Sequence, residues 1–181
     1  MSAQNLHKFG RFCDAIRRAV GNSGSSQIGS ILDIGFGSIW ELVALQTVFP
    51  GSKIIAVDAN PLVIERAEKH HKSLPLVQAK IVNVDARRLR RSIITQSDLI
   101  IFRHPNVEDL QAGWVDILRR IARHMRRNST LFLSTYSISE LEFADKHFEC
   151  CSMEPIPGSP YSDYSVELDG TDRHSAAYVR R

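Results

Sequence analysis

Asp33, Asp58 and Asp85 each interrupt or close a short apolar run, and the first of them leads into the turn Gly35-Phe36-Gly37. Glycines at 35 and 37 can adopt backbone angles closed to other residues and let a ligand approach the main chain. A carboxylate beside such a turn, as Asp33 is, acts either as a turn stabiliser or as a cofactor contact. A ribose-binding carboxylate is expected about 20 residues beyond a glycine turn of this kind. Asp58, followed by Ala59, stands there. The pattern points to a nucleotide-type cofactor. A dinucleotide fits less well, because G-x-G-x-x-G requires glycine at position 40 and the chain has Trp40.

A second group of reactive side chains is Arg103-His104-Pro105-Asn106, directly after an apolar run that ends at Phe102. Imidazole titrates near neutrality and can take a proton from a hydroxyl or amine nucleophile. His104 is therefore the candidate general base, the alternative being a turn histidine that only shapes the pocket. Arg103 would hold a substrate or cofactor carboxylate, or form a structural ion pair. Asn106, three residues before Asp109, reads as a helix cap. Adjacent His70 and His71 point in different directions on a helix, so solvated surface and no shared metal is expected. Three cysteines, two of them adjacent at 150 and 151, form neither a disulfide framework nor a metal-ligand spacing.

The elements that must position these residues are legible as alternating strands and helices. Ile31, Leu32 and Ile34 form the kind of apolar run that fills a parallel strand covered on both faces. Further strands are expected over 53–57, 79–84, 97–102 and 130–135. Ser38 with Glu41 matches a capping box, as does Ser137 with Glu140, and Asn60-Pro61 supplies a cap and a first-turn proline. Leu6, Phe9, Cys13, Ile16 and Val20 give an N-terminal amphipathic helix over 3–20. Leu110, Trp114, Ile117, Leu118, Ile121 and Met125 form the apolar face of another, with arginines on the remainder. Toward the end, Phe148–Met153, Tyr164–Leu168 and Ala176–Val179 read as strand material around a proline-rich loop and Asp169-Gly170, without showing which two pair.

From about Ile28 to His147 the chain resembles the class I S-adenosylmethionine-dependent methyltransferases, whose first motif is an acidic residue followed by G-x-G-x-G. Asp33, Gly35 and Gly37 match, and Ile39 stands where the third glycine usually is. The resemblance implies S-adenosyl-L-methionine as cofactor, with Asp58 on the ribose hydroxyls and the Gly35-Phe36-Gly37 turn with Asp33 at the methionyl side. It also implies an adenine contact by Asp85 and the backbone amide of Ala86, although aspartate there would equally cap the next helix. The implied fold is an α/β three-layer sandwich around a mostly parallel seven-stranded sheet with an antiparallel C-terminal strand. One domain over 1–181 is expected, an N-terminal helix within 1–21 preceding a Rossmann-like core over 28–181. The Arg-His-Pro-Asn turn matches neither the Asn/Asp-Pro-Pro-Tyr of amino-group methylases nor the Asp-Pro-Trp-Pro of the tRNA guanine-N7 enzymes.

Composition narrows the remaining choices. A hydrophobic fraction of 43% and a charged fraction of 24% are those of a globular chain. No apolar run reaches the length of a membrane span and the first residues carry no signal-peptide core, so a cytoplasmic protein without membrane attachment is expected. The net charge of +3 comes mostly from arginine, concentrated in Arg87-Arg88-Leu89-Arg90-Arg91 and again over 119–127. These runs read as solvated faces or as a surface for a small acidic substrate or a nucleic acid, although no interleaved aromatics supply a stacking platform. Three functions stay open beside methyl transfer to an O or N nucleophile: a tRNA guanine-N7-type relative, a non-catalytic scaffold of the same fold, and, disfavoured by Trp40, a nicotinamide enzyme. Oligomeric state is not set by the sequence.

Overall fold

Leu99, Ile100, Ile101 and Phe102 are all fully buried, a condition met only by a strand covered on both faces. The computed structural model that places them describes residues 10–24, 27–72, 78–103, 113–149, 151–158, 161–162 and 174–180. In chain order its elements are α1 (Gly10–Asn22), β1 (Ser30–Ile34), α2 (Ile39–Val48), β2 (Lys53–Asp58), α3 (Pro61–His71) and β3 (Ala79–Asn83). A 3-10 turn (Ala86–Arg88), α4 (Arg91–Gln96), β4 (Leu99–Arg103), α5 (Trp114–His124), β5 (Thr130–Thr135) and α6 (Ile138–Glu149) follow. The chain closes with β6 (Met153–Pro155), the two-residue β7 (Tyr161–Ser162) and β8 (His174–Arg180).

The sheet runs β3-β2-β1-β4-β5-β8-β6. Its first five strands are parallel, and β8 is antiparallel to both β5 and β6. β7 pairs with β8 outside that path. Alternate side chains of each strand enter opposite layers, as the pleat requires. Ile31, Ile101 and Phe132 join Phe12, Ile16, Leu42 and Ile64 under α1, α2 and α3. Leu32, Ile100, Phe102 and Leu133 join Ile94, Ile117, Ile121 and Phe148 under α4, α5 and α6. The expected three-layer sandwich is therefore the observed one.

Helix ends show where local sequence decides and where it is overruled. At α6 the capping box forms: the Ser137 hydroxyl accepts from the Glu140 amide at 3.3 Å, and Glu140 Oε2 accepts from the amides of Ser137 and Tyr136 at 3.1 and 2.9 Å. At α3, Asn60 Oδ1 accepts from the Leu62 amide at 3.0 Å, with Pro61 in the first turn. The expected box at α2 is not made. Ser38 accepts from the Trp40 amide at 3.3 Å, but Glu41 is fully buried and ion-paired elsewhere. In the turn before β5, Asn128 supplies a left-handed residue at φ 65°. Asp98, one residue before β4, ties strand starts together by accepting from the amides of Gly29 and Ser30 at 3.0 and 2.9 Å.

The C-terminal elements correct the sequence reading. The strand expected over Phe148–Met153 is the end of α6 followed by a turn, with Ser152 at φ 57°, and β6 begins only at Met153. Phe148 is apolar because it is core, its ring 4.5 Å from that of Tyr178. β8 contains Ala176–Val179 and lies between β5 and β6. Tyr164–Leu168 and Asp169-Gly170 lie outside the described residues, as do Leu6 and Phe9 of the N-terminal helix. Within the Arg87–Arg91 run, Leu89 and Arg90 are extended and separate the 3-10 turn from α4, so the run is not one helix face.

Removing the α6 cap tests this account of local stability. Ser137→Ala is expected to lower unfolding free energy by about 1 kcal/mol, measured by urea denaturation. Ser38→Ala should cost less, because Glu41 does not complete a box there.

Candidate functional site

A cavity of about 400 Å³ opens at the carboxyl ends of β1, β2, β3 and β4. That volume lies within the range of roughly 300–1,000 Å³ typical of small-molecule sites. Strand register makes the opening: Ile34 of β1 stands level with Val57 of β2 and Phe102 of β4, and Asp58 stands level with Asn83 of β3. Each strand thus delivers its last residue and the following turn to one edge. Open α/β sheets bind ligands there, outside the carboxyl ends of the strands.

Of the residues singled out from the sequence, Gly35, Gly37, Asp58, Ala59, Asp85, Ala86 and Arg103 line the cavity. Two do not. Asp33 is fully buried within β1, in register with Ala56 and Ile101, and Phe36 is fully buried in the core beside α2. Trp114 and Ile117 of α5 form a further wall that the sequence presented only as core. The aromatic at the head of the helix after β4 is the signal that could have marked it. Ile39, at the third-glycine position, is 3% exposed and packs into the core away from the opening. His104 and Asn106 lie outside the described residues.

The glycine turn is shaped by its neighbours. Gly35 has φ 75° and Gly37 φ 63°, both left-handed. The Gly35 amide donates to the Val57 carbonyl at 2.9 Å, and a Cβ on Gly35 would lie 3.2 Å from the Arg103 carbonyl oxygen. Absence of a side chain at 35 therefore lets β4 close against the turn, in addition to leaving backbone exposed to the cavity.

Asp58 is half-buried, and its Oδ1 accepts from the Asn60 amide at 2.7 Å. Its carbonyl accepts from Asn83 Nδ2 and the Val84 amide, both at 3.1 Å, which joins the ends of β2 and β3. Asp85 caps the 3-10 turn through the Arg87 amide at 2.9 Å. Arg87 also grips the same carboxylate: Nε lies 3.0 and 2.9 Å from its two oxygens, and Nη2 donates to Oδ2. The Arg87 hydrogen bond, opposed in part by burial, holds the Asp85 carboxyl below its ordinary value of 3.8. Asp85 is thus ionised at neutral pH and can accept from an incoming N–H donor that shares it with Arg87.

At the other end, Arg103 donates through Nη1 to Glu41 Oε2, with side chains 5% and 0% exposed. The guanidinium also lies 5.0 Å from the Phe12 ring centroid. Of the two roles that the sequence allowed Arg103, the ion pair is present. Glu41 escaped the sequence reading because a capping motif explained it locally. Its position within the apolar stretch Ile39–Leu45 was the available warning, since a buried carboxylate requires a partner.

Two predictions follow from these pairs. Glu41→Ala removes the buried counter-charge of the Arg103 guanidinium and is expected to destabilise the fold by about 3–5 kcal/mol, read by urea denaturation; a loss below about 1 kcal/mol would contradict the pairing. Arg87→Ala should raise the Asp85 pKa toward 3.8 in a carboxyl NMR titration. Because the folded value is depressed, the pair stabilises above the unfolded pKa and that contribution is lost as pH falls through the folded one.

Comparison with known proteins places this geometry. The chain is similar to an S-adenosylmethionine-dependent methyltransferase from Clostridium acetobutylicum, with a TM-score of 0.72, 14% identity, and 95% of this chain and 92% of that chain covered. It is similar to precorrin-6y C5,15-methyltransferase from Geobacter metallireducens, with a TM-score of 0.66, 12% identity, and coverage of 91% and 86%. The plantazolicin methyltransferase BpumL, solved in complex with SAH, gives a TM-score of 0.64, 16% identity, and coverage of 96% and 85%. At these identities the likeness is one of fold. A search of curated proteins found no match. The family model described as a methyltransferase domain matches residues 31–128, more than half of the chain, and the protein belongs to that family.

Proposed function

We propose that the protein is an S-adenosylmethionine-dependent methyltransferase acting on an O or N nucleophile by in-line displacement. One observation carries this reading: a single cavity brings the left-handed Gly35 and Gly37, the Asp58 carboxylate and the Asp85-Ala86 corner to the edge of a methyltransferase-domain sheet. The donor set suits this cofactor. Two carboxylates supply acceptors for hydroxyl and amino groups, and Trp114 with Ile117 supplies apolar wall for a flat ring. Ile39 leaves the opening clear, since it faces the core.

In this reading Asp58 holds the ribose hydroxyls, with Ala59 beside it, while Asp85 and the Ala86 amide hold adenine. The Gly35-Phe36-Gly37 backbone, with Asp33 buried beneath it and Arg103 beside it, receives the methionyl portion. When bound, the cofactor supplies an electrophilic methyl group on a sulfonium. Transfer of that kind depends chiefly on positioning. Arg103 is fixed by Glu41 and stacks on Phe12, so the end of β4 is rigid where the acceptor approaches. His104, the next residue, takes the acceptor proton.

Calorimetric titration with S-adenosylhomocysteine tests the site. The parent is expected to bind, and Asp58→Ala to bind about ten- to a hundredfold more weakly, the range for losing hydrogen bonds to a charged acceptor. No binding to the folded parent would overturn the reading. His104→Ala should leave that affinity within twofold and lower methyl transfer by about a hundredfold or more. An unchanged transfer rate would remove His104 from the chemistry.

A further inference from the structure

A second cleft, of about 390 Å³, adjoins the cofactor cavity and shares Arg87 and Ile117 with it as a common wall. Its remaining lining is one face of α5: Asp116, Arg119, Arg120, Arg123 and His124. The opposite face of α5, including Val115, Leu118, Ile121 and Ala122, is buried. The arginines are therefore what this helix presents outward beside the cavity mouth.

Arg87 on the shared wall is paired with Asp85, but neutralisation of the α5 arginines is slight. The cleft's one carboxylate, Asp116, is 82% exposed and lies 3.9 Å from Arg119. Among the described residues Arg123 has no carboxylate within ion-pairing distance. Arg120 is held in place by donating from Nη2 to the Leu89 carbonyl at 2.7 Å, while its Nε is buried with no hydrogen-bond partner among the described residues. Burial lowers the pKa of the His124 imidazole, and Arg91, Arg120, Arg180 and Arg123 lower it further. Positive charge from α4, α5 and β8 thus converges on one place.

Helix stability does not account for this arrangement. Favourable interaction with the helix dipole is confined to the last turn, which covers Arg123 and His124 but not Arg119 or Arg87. Arg119 and Arg123, four residues apart, repel each other in the absence of an anion. A mixed-sign surface would serve solubility as well.

We propose that this cleft binds the phosphate backbone of a nucleic-acid methyl acceptor. The proposal rests on the methyltransferase reading and names its substrate class. Guanidinium forks pair with phosphate oxygens in two-point hydrogen bonds. A strand is favoured over a small phosphorylated acceptor because the charges follow an open helix face, and Arg88 and Arg127, next in the chain to the cleft's Arg87 and to Arg126, are also exposed. Shared walls would carry a strand held in the cleft across to the cofactor cavity. Sequence preference is not expected from these contacts, since phosphate contacts position a strand without reading it.

The test is fluorescence anisotropy with a labelled single-stranded RNA of about 12 nucleotides, on the parent, Arg119→Gln/Arg123→Gln and the control Arg17→Gln/Arg18→Gln. The control removes the same charge from the exposed side of α1. The cleft variant is expected to bind at least tenfold more weakly, with its log-affinity against log-salt slope shallower by about 1.4, while the control stays within twofold. Circular dichroism confirms that each variant is folded, and calorimetry with S-adenosylhomocysteine is run on each. Failure of the parent to bind S-adenosylhomocysteine would overturn the methyltransferase reading itself. With that binding intact, three results would overturn the cleft alone: no RNA binding by the parent, equal weakening in control and cleft variants, or competition by a nucleoside monophosphate at concentrations as low as the oligomer's.

Discussion

Everything at the cavity depends on β1 lying between two parallel neighbours, β2 and β4, that the chain reaches by different routes. The turn after β1 leads through α2 to β2 on one side, while β4 is supplied much later from the other. Such a reversal leaves a crevice at the strand ends because the connections diverge there. The buried Arg103–Glu41 pair fixes the width of that crevice. It joins the last residue of β4 to the first turn of α2, across the glycine turn, and Phe12 of α1, in the same layer as α2, supports the guanidinium. An ion pair of this burial is costly to half-remove, which makes it a stiff connection and not merely a source of stability.

Charge is distributed around the crevice in two separate bands. Carboxylates at 58 and 85 follow the strand ends and face the cavity; arginines follow the 3-10 turn and α5. Arg87 belongs to both, gripping Asp85 while lining the neighbouring cleft. A group donating to Asp85 would compete with Arg87 for the same oxygens, so occupancy of the cavity and the charge available in the cleft are physically linked.

Much of the fold was legible because its central strands are covered on both faces and therefore read as mostly apolar runs. β1, β2, β4 and β5 were found within a residue or two for that reason. Local cap chemistry located α3 and α6 correctly, since the side chains of Asn60 and Ser137 accept from amides of their own helices. The same logic failed at Ser38, where a tertiary partner captured Glu41. It failed again at Phe148, because a short apolar run at a helix end looks like a strand until its packing against Tyr178 is known. Asp58 and the two glycines were readable from spacing and Asp85 from the family resemblance, since register in a parallel sheet brings successive strand ends to one edge. Trp114 and Arg87 were not, because their part in the cavity depends on how α5 and the 3-10 turn pack.

The most direct test of the central claim is a crystal structure of the protein with S-adenosylhomocysteine. The account predicts adenine between Ala86 and the Trp114–Ile117 wall, ribose hydroxyls on the Asp58 carboxylate, and the homocysteine portion over the Gly35-Phe36-Gly37 turn beside Arg103. Density for the ligand elsewhere on the surface, or in the cavity with its ribose away from Asp58, would contradict it.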